Sequence, residues 1–107
     1  MRSDRVKGNL DLLLLSALTS GPAHGYEVIA MLKRNSEGQF DLPEGTVYPS
    51  LHRLEAGGLL SSSWDDSGSR RRRVYRITAK GRQELRAERA AWGRFSRGMS
   101  AVLEVRA

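Results

Sequence analysis

The sequence of 107 residues contains no cysteine. A chain without thiols forms no disulfide and offers no thiolate to a metal ion, so nothing in it points to an oxidising compartment. Apolar runs such as Leu12–Leu15 stop far short of the roughly 20 residues that span a bilayer, and the N-terminus lacks a signal-peptide pattern. We therefore expect a soluble, cytoplasmic chain of a size that fits one compact core.

Motifs for catalysis, metals and cofactors are also absent. The sequence holds no Gly-x-Ser-x-Gly elbow and no glycine-rich phosphate loop. Its two histidines, His24 and His52, are far apart and give little basis for a metal site. We therefore expect a protein that is not an enzyme and binds no metal or cofactor, and we expect His24 to lie at the start of a helix.

Acidic residues are in the minority. The chain has 18 Lys and Arg against 12 Asp and Glu, a formal net charge of +6 and a pI near 10.5. A basic balance suits a polyanionic partner, with nucleic acid as the first candidate and an anionic membrane surface as the second. Of the 18 basic residues 15 are arginine, whose planar fork suits phosphates and guanine edges. The arginine bias favours nucleic acid, although a GC-rich genome also raises arginine content.

Two short helices are predicted at the start of the chain. The first, residues 8–19, is apolar on two sides, which predicts burial on both. Its apolar positions are Leu10, Leu12, Leu13, Leu14, Leu15, Ala17 and Leu18. Gly21 and Pro22 end this helix. A second helix with one partly buried side is predicted from about Ala23 or His24 to Ser36.

A third helix, which ends at Gly57-Gly58, carries a proline near its start. Because the first four amides of a helix have no intrahelical acceptor, Pro49 is tolerated in the first turn. The proline therefore places the start at Gly45 or Thr46, with Thr46 as the N-cap. A buried row is predicted at i, i+4 and i+7, where the sequence has Val47, Leu51 and Leu54.

A β-hairpin and a long helix complete the pattern. Two strand candidates, residues 59–64 and 70–77, flank a loop of Asp, Ser and Gly. Alternation along the second strand places Arg73, Tyr75 and Ile77 on one face and Arg72, Val74 and Arg76 on the other. Thr78 is predicted to cap a final helix over about residues 79–105. The apolar seam of this helix comprises Leu85, Trp92, Phe95, Met99, Val102 and Leu103.

The order of these elements predicts a mainly helical α+β fold, the winged helix-turn-helix, with three helices, a two-stranded β-hairpin wing and a long C-terminal helix. In that design the third helix buries one row and lays its opposite side in the major groove of DNA. The groove-compatible positions are Thr46, Tyr48, Pro49, Ser50, His52 and Arg53. The alternative is an ordinary amphipathic surface helix, although its exposed side would usually carry Glu and Lys.

The block Arg70, Arg71, Arg72 and Arg73 lies at the predicted tip of the hairpin. Such a block is usually a solvated charge run. Adjacent like charges nevertheless repel one another and disfavour an ordered strand unless an anion neutralises them. A phosphate backbone beside the groove would do so, and we therefore interpret the block as the part of the wing that contacts DNA.

Trp92, on the seam of the last helix, has two interpretations. A tryptophan at heptad spacing is most often part of a core or of a dimer interface. Alternatively, two copies of Trp92 in a two-fold dimer would stack on a planar aromatic ligand.

Three segments of the sequence resemble the PadR-like family of bacterial transcriptional regulators: LLLLSALTSGPAHGYEVIAML, LPEGTVYPSLHRLEAGGLL and RRRVYRITAKGRQEL. The most restrictive pieces are GPAHGYE and GTVYPSLHRLE, and the match runs from about Leu10 to Leu85. With a single helix after the wing, the chain is similar to the shorter subgroup of the family. The wing departs from the common family pattern Gly-Arg-x-Arg-Lys-Tyr-Tyr, because Ser69 follows Gly68 and Val74 replaces the first tyrosine.

The resemblance implies a homodimeric repressor that binds double-stranded DNA at a pseudo-palindromic operator and is released by a small ligand or a stress signal. By position, Tyr48, Pro49 and His52 fall in the recognition-helix motif, and Tyr75, Thr78 and Gly81 at the junction of wing and last helix. We expect residues 1–78 to form the DNA-binding domain and residues 79–107 the dimerisation helix. The first and last helices would supply the dimer contacts, through Leu10, Leu13, Leu14, Leu18, Leu85, Trp92, Phe95, Met99, Val102 and Leu103. Some short relatives hold planar aromatic compounds near a tryptophan, which supports the ligand interpretation of Trp92.

Two rival functions remain open. One is a protein-interaction module that recruits a protein through the winged fold and joins a coiled coil through the last helix. The other is association with an anionic membrane surface. It is disfavoured because no helix is expected to pair a strongly basic face with a large exposed apolar one.

Overall fold

The computed structural model describes residues 9–104. Its four helices are α1 (Leu10–Ala17), α2 (Gly25–Asn35), α3 (Glu44–Ala56) and α4 (Ala79–Leu103). Its three strands are β1 (Ala23–His24), β2 (Leu60–Asp65) and β3 (Arg72–Ile77), and a 3-10 turn (Leu18–Ser20) follows α1. The chain has a winged-helix fold, as the order of elements predicted. Two predicted helix ends, Gly8 and Val105, lie outside the described residues.

The hydrophobic core lies where α1, α2 and α3 meet the sheet and the start of α4. Helix α1 is buried on two sides, as its leucine pattern predicted, and the predicted row of α3 is also buried. Burying a leucine or valine side chain stabilises the fold by about 1.5–3 kcal/mol. The most deeply buried apolar residues are Leu14, Leu15, Leu18, Val28, Val47, Leu51, Leu54, Leu60 and Tyr75.

The sheet has three antiparallel strands in the order β1-β3-β2. The predicted hairpin is present, with Leu60 opposite Ile77 and Asp65 opposite Arg72. The alternation predicted for β3 is confirmed, since Tyr75 is buried and Arg72 and Arg76 are exposed. Strand β1 was not predicted, because two residues carry no periodicity. It places Ala23 opposite Tyr75 and so connects the start of α2 to the wing.

Helix α3 begins earlier than the sequence suggested. Pro43 is its N-cap, and the amides of Thr46 and Val47 both donate to the Pro43 carbonyl, at 3.0 and 3.1 Å. Thr46 is therefore inside the helix, and the prediction that it caps α3 is wrong. Pro49 consequently lies beyond the first turn, where its missing N–H leaves the carbonyl of Gly45 without the usual helical donor. The proline is exposed and leaves the buried row intact.

Helix α4 begins in the core and ends far from it. The side-chain oxygen of Thr78 accepts a hydrogen bond from the Gly81 amide at 3.0 Å, which confirms the predicted cap. Leu85 is the last buried residue, and the helix continues to Leu103, about 27 Å further along its axis. Over this length the apolar seam is exposed, from 45% at Trp92 to 74% at Leu103.

The exposed seam corrects one expectation. α4 carries exposed arginines such as Arg86 and Arg97 in addition to its exposed apolar residues. The expectation that no helix pairs a basic face with a large exposed apolar one is therefore wrong for α4, because the single chain leaves the seam uncovered. Within residues 9–104, no helix is both long enough and apolar enough to cross a membrane.

Candidate nucleic-acid interface

The outer side of α3 is accessible over its whole length. Val47, Leu51 and Leu54 turn inward, which leaves the opposite side of the helix in contact with solvent. All six residues predicted to face a DNA groove lie on accessible surface. Thr46, Pro49, His52 and Arg53 are exposed, and Tyr48 and Ser50 are partly exposed.

The position of Tyr48 depends on Gly25, the first residue of α2. A Cβ atom added at Gly25 would lie 2.6 Å from Cε1 of Tyr48, so the tyrosine ring occupies the space that a side chain would fill. The contact joins the two most restrictive sequence motifs, GPAHGYE and GTVYPSLHRLE. The first turn of α2 therefore sets where Tyr48 stands on the outer side of α3.

Arg53 is held by an acidic residue of α1. Its Nη2 lies 2.6 Å from Oδ1 of Asp11 and its Nη1 lies 3.2 Å from Oδ2, a bidentate ion pair. The hydrogen bonds and the charge of Asp11 raise the pKa of Arg53 further above its ordinary value. Sequence reasoning missed this pair, although a lone aspartate on an apolar helix was a signal that it faces a cation. A base contact from Arg53 stays a prediction and requires the pair to open.

Two of the four wing arginines are bound to neighbouring side chains. The guanidinium carbons of Arg71 and Arg73 lie 4.5 and 4.9 Å from the centroid of the Trp64 ring, a cation–π arrangement. Arg71 also pairs with Asp66 at 3.1 Å, and Nε of Arg73 donates to the Ser62 hydroxyl at 2.8 Å. We call Arg71 and Arg73 the stacked pair.

The other two wing arginines have no such restraint. Arg70 and Arg72 are exposed, and within residues 9–104 neither forms an ion pair or stacks on a ring. Arg70 precedes β3, and Arg72 begins it. We call Arg70 and Arg72 the free pair. Arg72 acts on Glu27 through its charge and helps to lower the pKa of that acid, but it is not in direct contact with it. Without a directly bound acid, Arg70 and Arg72 are the members of the block best able to bind a phosphate.

A histidine network connects the wing to α2. The backbone amide of His24 donates to Oε1 of Glu27 at 2.8 Å, and its Nδ1 lies 2.6 Å from the same oxygen. On the other side of the ring, Nε2 lies 3.0 Å from Oδ2 of Asp65, the last residue of β2. The predicted position of His24 at the start of a helix is confirmed. Its link to the wing was not predicted, because Asp65 is 41 residues away.

The two carboxylates of this network are stabilised in their charged forms. Hydrogen bonds from the hydroxyl and amide of Ser67, followed by the bond with His24, lower the pKa of Asp65 to about 2. The backbone hydrogen bond from His24 is the largest of the effects that lower the pKa of Glu27. Both acids therefore remain ionised at neutral pH, and the network links the loop end of β2 to the start of α2.

The ten predicted dimer residues differ in exposure and fall into three groups. Leu10, Leu14, Leu18 and Leu85 are at most 4% exposed and are already covered inside the single chain. Leu13 is partly exposed and lines an open groove of about 400 Å³ between α1 and α2. The five exposed members all lie on α4: Trp92, Phe95, Met99, Val102 and Leu103. The ring centroids of Trp92 and Phe95 are 5.8 Å apart.

Comparison with known proteins gives a consistent result. A family model, the transcriptional regulator PadR-like family, matches residues 14–87, more than half of the chain. Transcriptional regulator Rv3488 of Mycobacterium tuberculosis is 38% identical over 86 residues, which cover 80% of this chain and 78% of that protein.

Solved structures agree with the sequence comparison. A PadR family transcriptional regulator from Eggerthella lenta superposes with a TM-score of 0.80 at 36% identity, covering 96% of this chain and 88% of that one. Bacillus subtilis PadR, solved in complex with operator DNA, superposes with a TM-score of 0.67 at 24% identity, covering 73% of this chain and 44% of that one. The similarity thus extends over the winged-helix part of the chain and, in the Eggerthella structure, over nearly the whole chain.

Proposed function

The chain belongs to the PadR-like family of transcriptional regulators, and on this premise we propose that it is a cytoplasmic, homodimeric repressor that binds a pseudo-palindromic DNA operator. The proposal rests on one observation above all. The outer side of α3 and the free pair of the wing are both accessible on a winged-helix fold, and they offer hydrogen-bonding groups and two arginines outside any ion pair among the described residues. Family members are regulators, and catalysis has no part in the proposal.

We assign the recognition surface by position along α3. In helix-turn-helix proteins the N-terminal part of the recognition helix contacts base edges. Thr46, Tyr48, Pro49 and Ser50 occupy that part here, and His52 and Arg53 follow in the second half. The free pair contacts phosphates beside the groove, and the stacked pair stiffens the wing through Trp64. Residues 1–78 then form the DNA-binding unit and residues 79–107 the dimerisation helix.

A homodimer accounts for the exposed seam of α4. Exposed apolar surface of this extent on a helix marks an interaction site, and a two-fold partner would cover it with the same residues. Two recognition helices in such a dimer would meet half-sites about one helical turn apart, roughly 34–36 Å.

Release from DNA would follow from a change in the angle between the two recognition helices. A ligand that binds one dimer geometry better shifts the population towards that geometry. Trp92 and Phe95 offer an aromatic surface for a planar aromatic effector at the seam. Titration of such compounds, followed by Trp92 emission in a Trp64→Phe background, tests this part of the proposal; unchanged emission for every compound would assign the seam to dimer packing alone.

Operator binding is tested by a gel shift with inverted repeats from the DNA upstream of the gene. We expect saturable binding. The logarithm of the association constant should fall linearly with the logarithm of the salt concentration, with a slope of about −0.9 per phosphate contacted. An association constant that does not change with salt concentration would contradict the proposal that the wing contacts phosphates. Absence of saturable binding at moderate salt would favour the rival function, a protein-interaction module.

A further inference from the structure

Helix α4 carries a row of arginines that neither the core nor the proposed operator contacts use. Arg82, Arg86, Arg89 and Arg97 follow one another at intervals of four, three and eight residues and therefore share one side of the helix. Arg94 flanks them. All five side chains are exposed, and we call them the arginine face.

The arginine face is not neutralised by acidic residues. No Asp or Glu stands three or four positions from any of its members, and the acids Glu84 and Glu88 lie on another side of α4. In the part of the chain that the structure describes, none of the five arginines forms an ion pair. Three pairs within the face stand instead at the spacing where like charges repel and destabilise a helix. A solvated helix surface usually mixes both signs, and this one does not.

Small residues make a shallow depression in the arginine face. Its floor is formed by Ala90 and Gly93, four of the five arginines surround it, and its volume is about 480 Å³. The guanidinium group of Arg97 reaches back over the glycine, since a Cβ atom at Gly93 would lie 3.3 Å from Nη1 of Arg97. The depression thus gives guanidinium groups access to an anion that lies along the helix.

The arginine face lies mainly on the part of α4 that projects from the core. Leu85 is the last buried residue of the helix, and Arg97 stands about 18 Å beyond it. The residues assigned to operator recognition lie on α3 and the wing, whereas the arginine face lies on α4. The arginine face also points away from the apolar seam, so a partner that covers the seam leaves the arginines accessible.

We propose that the arginine face binds the phosphate backbone of a second segment of duplex DNA without reading its sequence, so that the dimer bridges its operator to another stretch of DNA. The row is about 22 Å long, and each DNA strand presents a phosphate about every 3.4 Å along the helix axis. An extended polyanion therefore engages all five arginines, whereas a compact anion engages only a part. The bridging role rests on the proposed function, but binding of the second duplex does not depend on operator recognition.

An anionic membrane is the competing partner. A helix that lies in a membrane interface inserts its apolar side while its basic side contacts lipid headgroups, and both sides are exposed on α4. In the proposed dimer, however, the seam is covered, and only the arginine face remains. The dimer therefore favours DNA.

The test uses the full chain, a labelled operator duplex and beads that carry a random-sequence duplex. The wild type should be retained on the beads and should capture the labelled operator there. A variant with Arg86→Gln, Arg89→Gln, Arg94→Gln and Arg97→Gln should lose capture at least about tenfold while its operator gel shift changes little. Gln keeps a helix propensity close to that of Arg, and circular dichroism checks the fold. The matched control replaces the same four residues with Lys, which keeps the charge and should keep capture.

Salt dependence gives a second measurement. The four replaced arginines, with one phosphate contact each, should account for about −3.6 of the logarithmic salt slope of wild type on random-sequence beads. Over a doubling of the salt concentration this share alone weakens retention about 12-fold. The slope should fall towards that of the wing alone in the Gln variant.

Each other outcome overturns the proposal in a recognisable way. Unchanged capture by the Gln variant would show that the arginine face plays no part in bridging. Loss of the operator gel shift with an intact fold would assign the arginines to the operator site itself. Arginine-dependent binding to vesicles that contain an anionic phospholipid, without retention on DNA beads, would assign them to a membrane surface. If the wild type fails to shift its operator, the proposed function fails, whereas retention on random-sequence beads still tests the arginine face.

Discussion

Replacing Asp11 with asparagine should strengthen operator binding. The change keeps the size of the side chain and removes the charge that holds Arg53 through contacts of 2.6 and 3.2 Å. Both side chains are substantially exposed, at 59% for Arg53 and 42% for Asp11, so their pair stabilises the fold by no more than about 1 kcal/mol. If Arg53 must leave Asp11 to reach DNA, the free energy of the Asp11–Arg53 pair is lost on binding and weakens the affinity for the operator.

The expected gain follows from that figure. A release of about 0.5–1 kcal/mol tightens binding about two- to fivefold at 25 °C. The same change should lower the melting temperature by no more than about 4–8 °C, since the chain is a small domain. Fluorescence anisotropy with a labelled operator duplex at fixed salt measures the first quantity, and thermal denaturation the second.

Two controls separate release of Arg53 from a general effect of charge. Asp41→Asn removes an acid that pairs with Lys33 at 3.6 Å, and it should leave operator affinity nearly unchanged. In an Arg53→Ala background, Asp11→Asn should give no gain, because there is no arginine to release. Weaker binding by the Asp11→Asn variant would refute the reasoning, since it would mean that Asp11 orients Arg53 towards DNA.

Three further predictions follow from the wing and its junction with α4. Alanine at both positions of the free pair should weaken binding to operator and random DNA alike and lower the salt slope by about 2. Alanine at both positions of the stacked pair should mainly lower the melting temperature, and equal losses of DNA affinity in the two variants would contradict the distinction between the pairs. Gly81→Ala should destabilise the fold by about 3 kcal/mol, because its Cβ would lie 2.1 Å from the Leu59 carbonyl oxygen, while Gly98→Ala, with no atom within 4 Å, should be neutral or slightly stabilising in the same thermal melt. Asp65→Asn should lower the free energy of unfolding at neutral pH. Because the pKa of Asp65 falls from 3.8 to about 2 on folding, the difference in stability from wild type should shrink as the pH falls from about 4 to about 2. A difference that does not change with pH in denaturant melts would exclude the charge of Asp65 as its cause.

Much of the fold was predictable because local signals agreed with one another. The apolar row of α3, its Gly57-Gly58 end and the alternation in β3 each follow from a periodicity that burial enforces. The cap at Thr78 follows from the preference of a hydroxyl for a helix start. Each of these features depends only on residues that are close to it in the sequence.

The remainder depended on contacts between distant residues. Asp11 and Arg53 are 42 residues apart, and His24 and Asp65 are 41 apart, so no local pattern relates them. Strand β1 exists only because β3 is beside it. The start of α3 is misplaced by the sequence because Pro49 was assigned to the first turn, whereas the carbonyl of Pro43 accepts the first helical hydrogen bonds.

In the candidate site, too, features set by local sequence patterns were predictable, and features set by contacts between side chains were not. All ten positions predicted to face DNA lie on accessible or partly accessible surface, which the polar side of an amphipathic helix and a hairpin tip make predictable. The sequence treated the four wing arginines alike, because it does not show which of them lies over Trp64. Burial of Leu85 inside the chain was not predictable from the sequence either. The apolar seam of α4 looks uniform in the sequence, although Leu85 packs in the core of the chain and the seam residues after it are exposed.

The packing of Tyr48 against Gly25 limits how the DNA preference of this protein can be altered by protein engineering. A library that randomises α3 alone samples position 48 against a fixed neighbour with no side chain, so small residues there leave a void and larger rings find no more room. A library that varies positions 25 and 48 together offers combinations that neither position reaches alone. The unit to redesign is therefore a pair of residues from two helices.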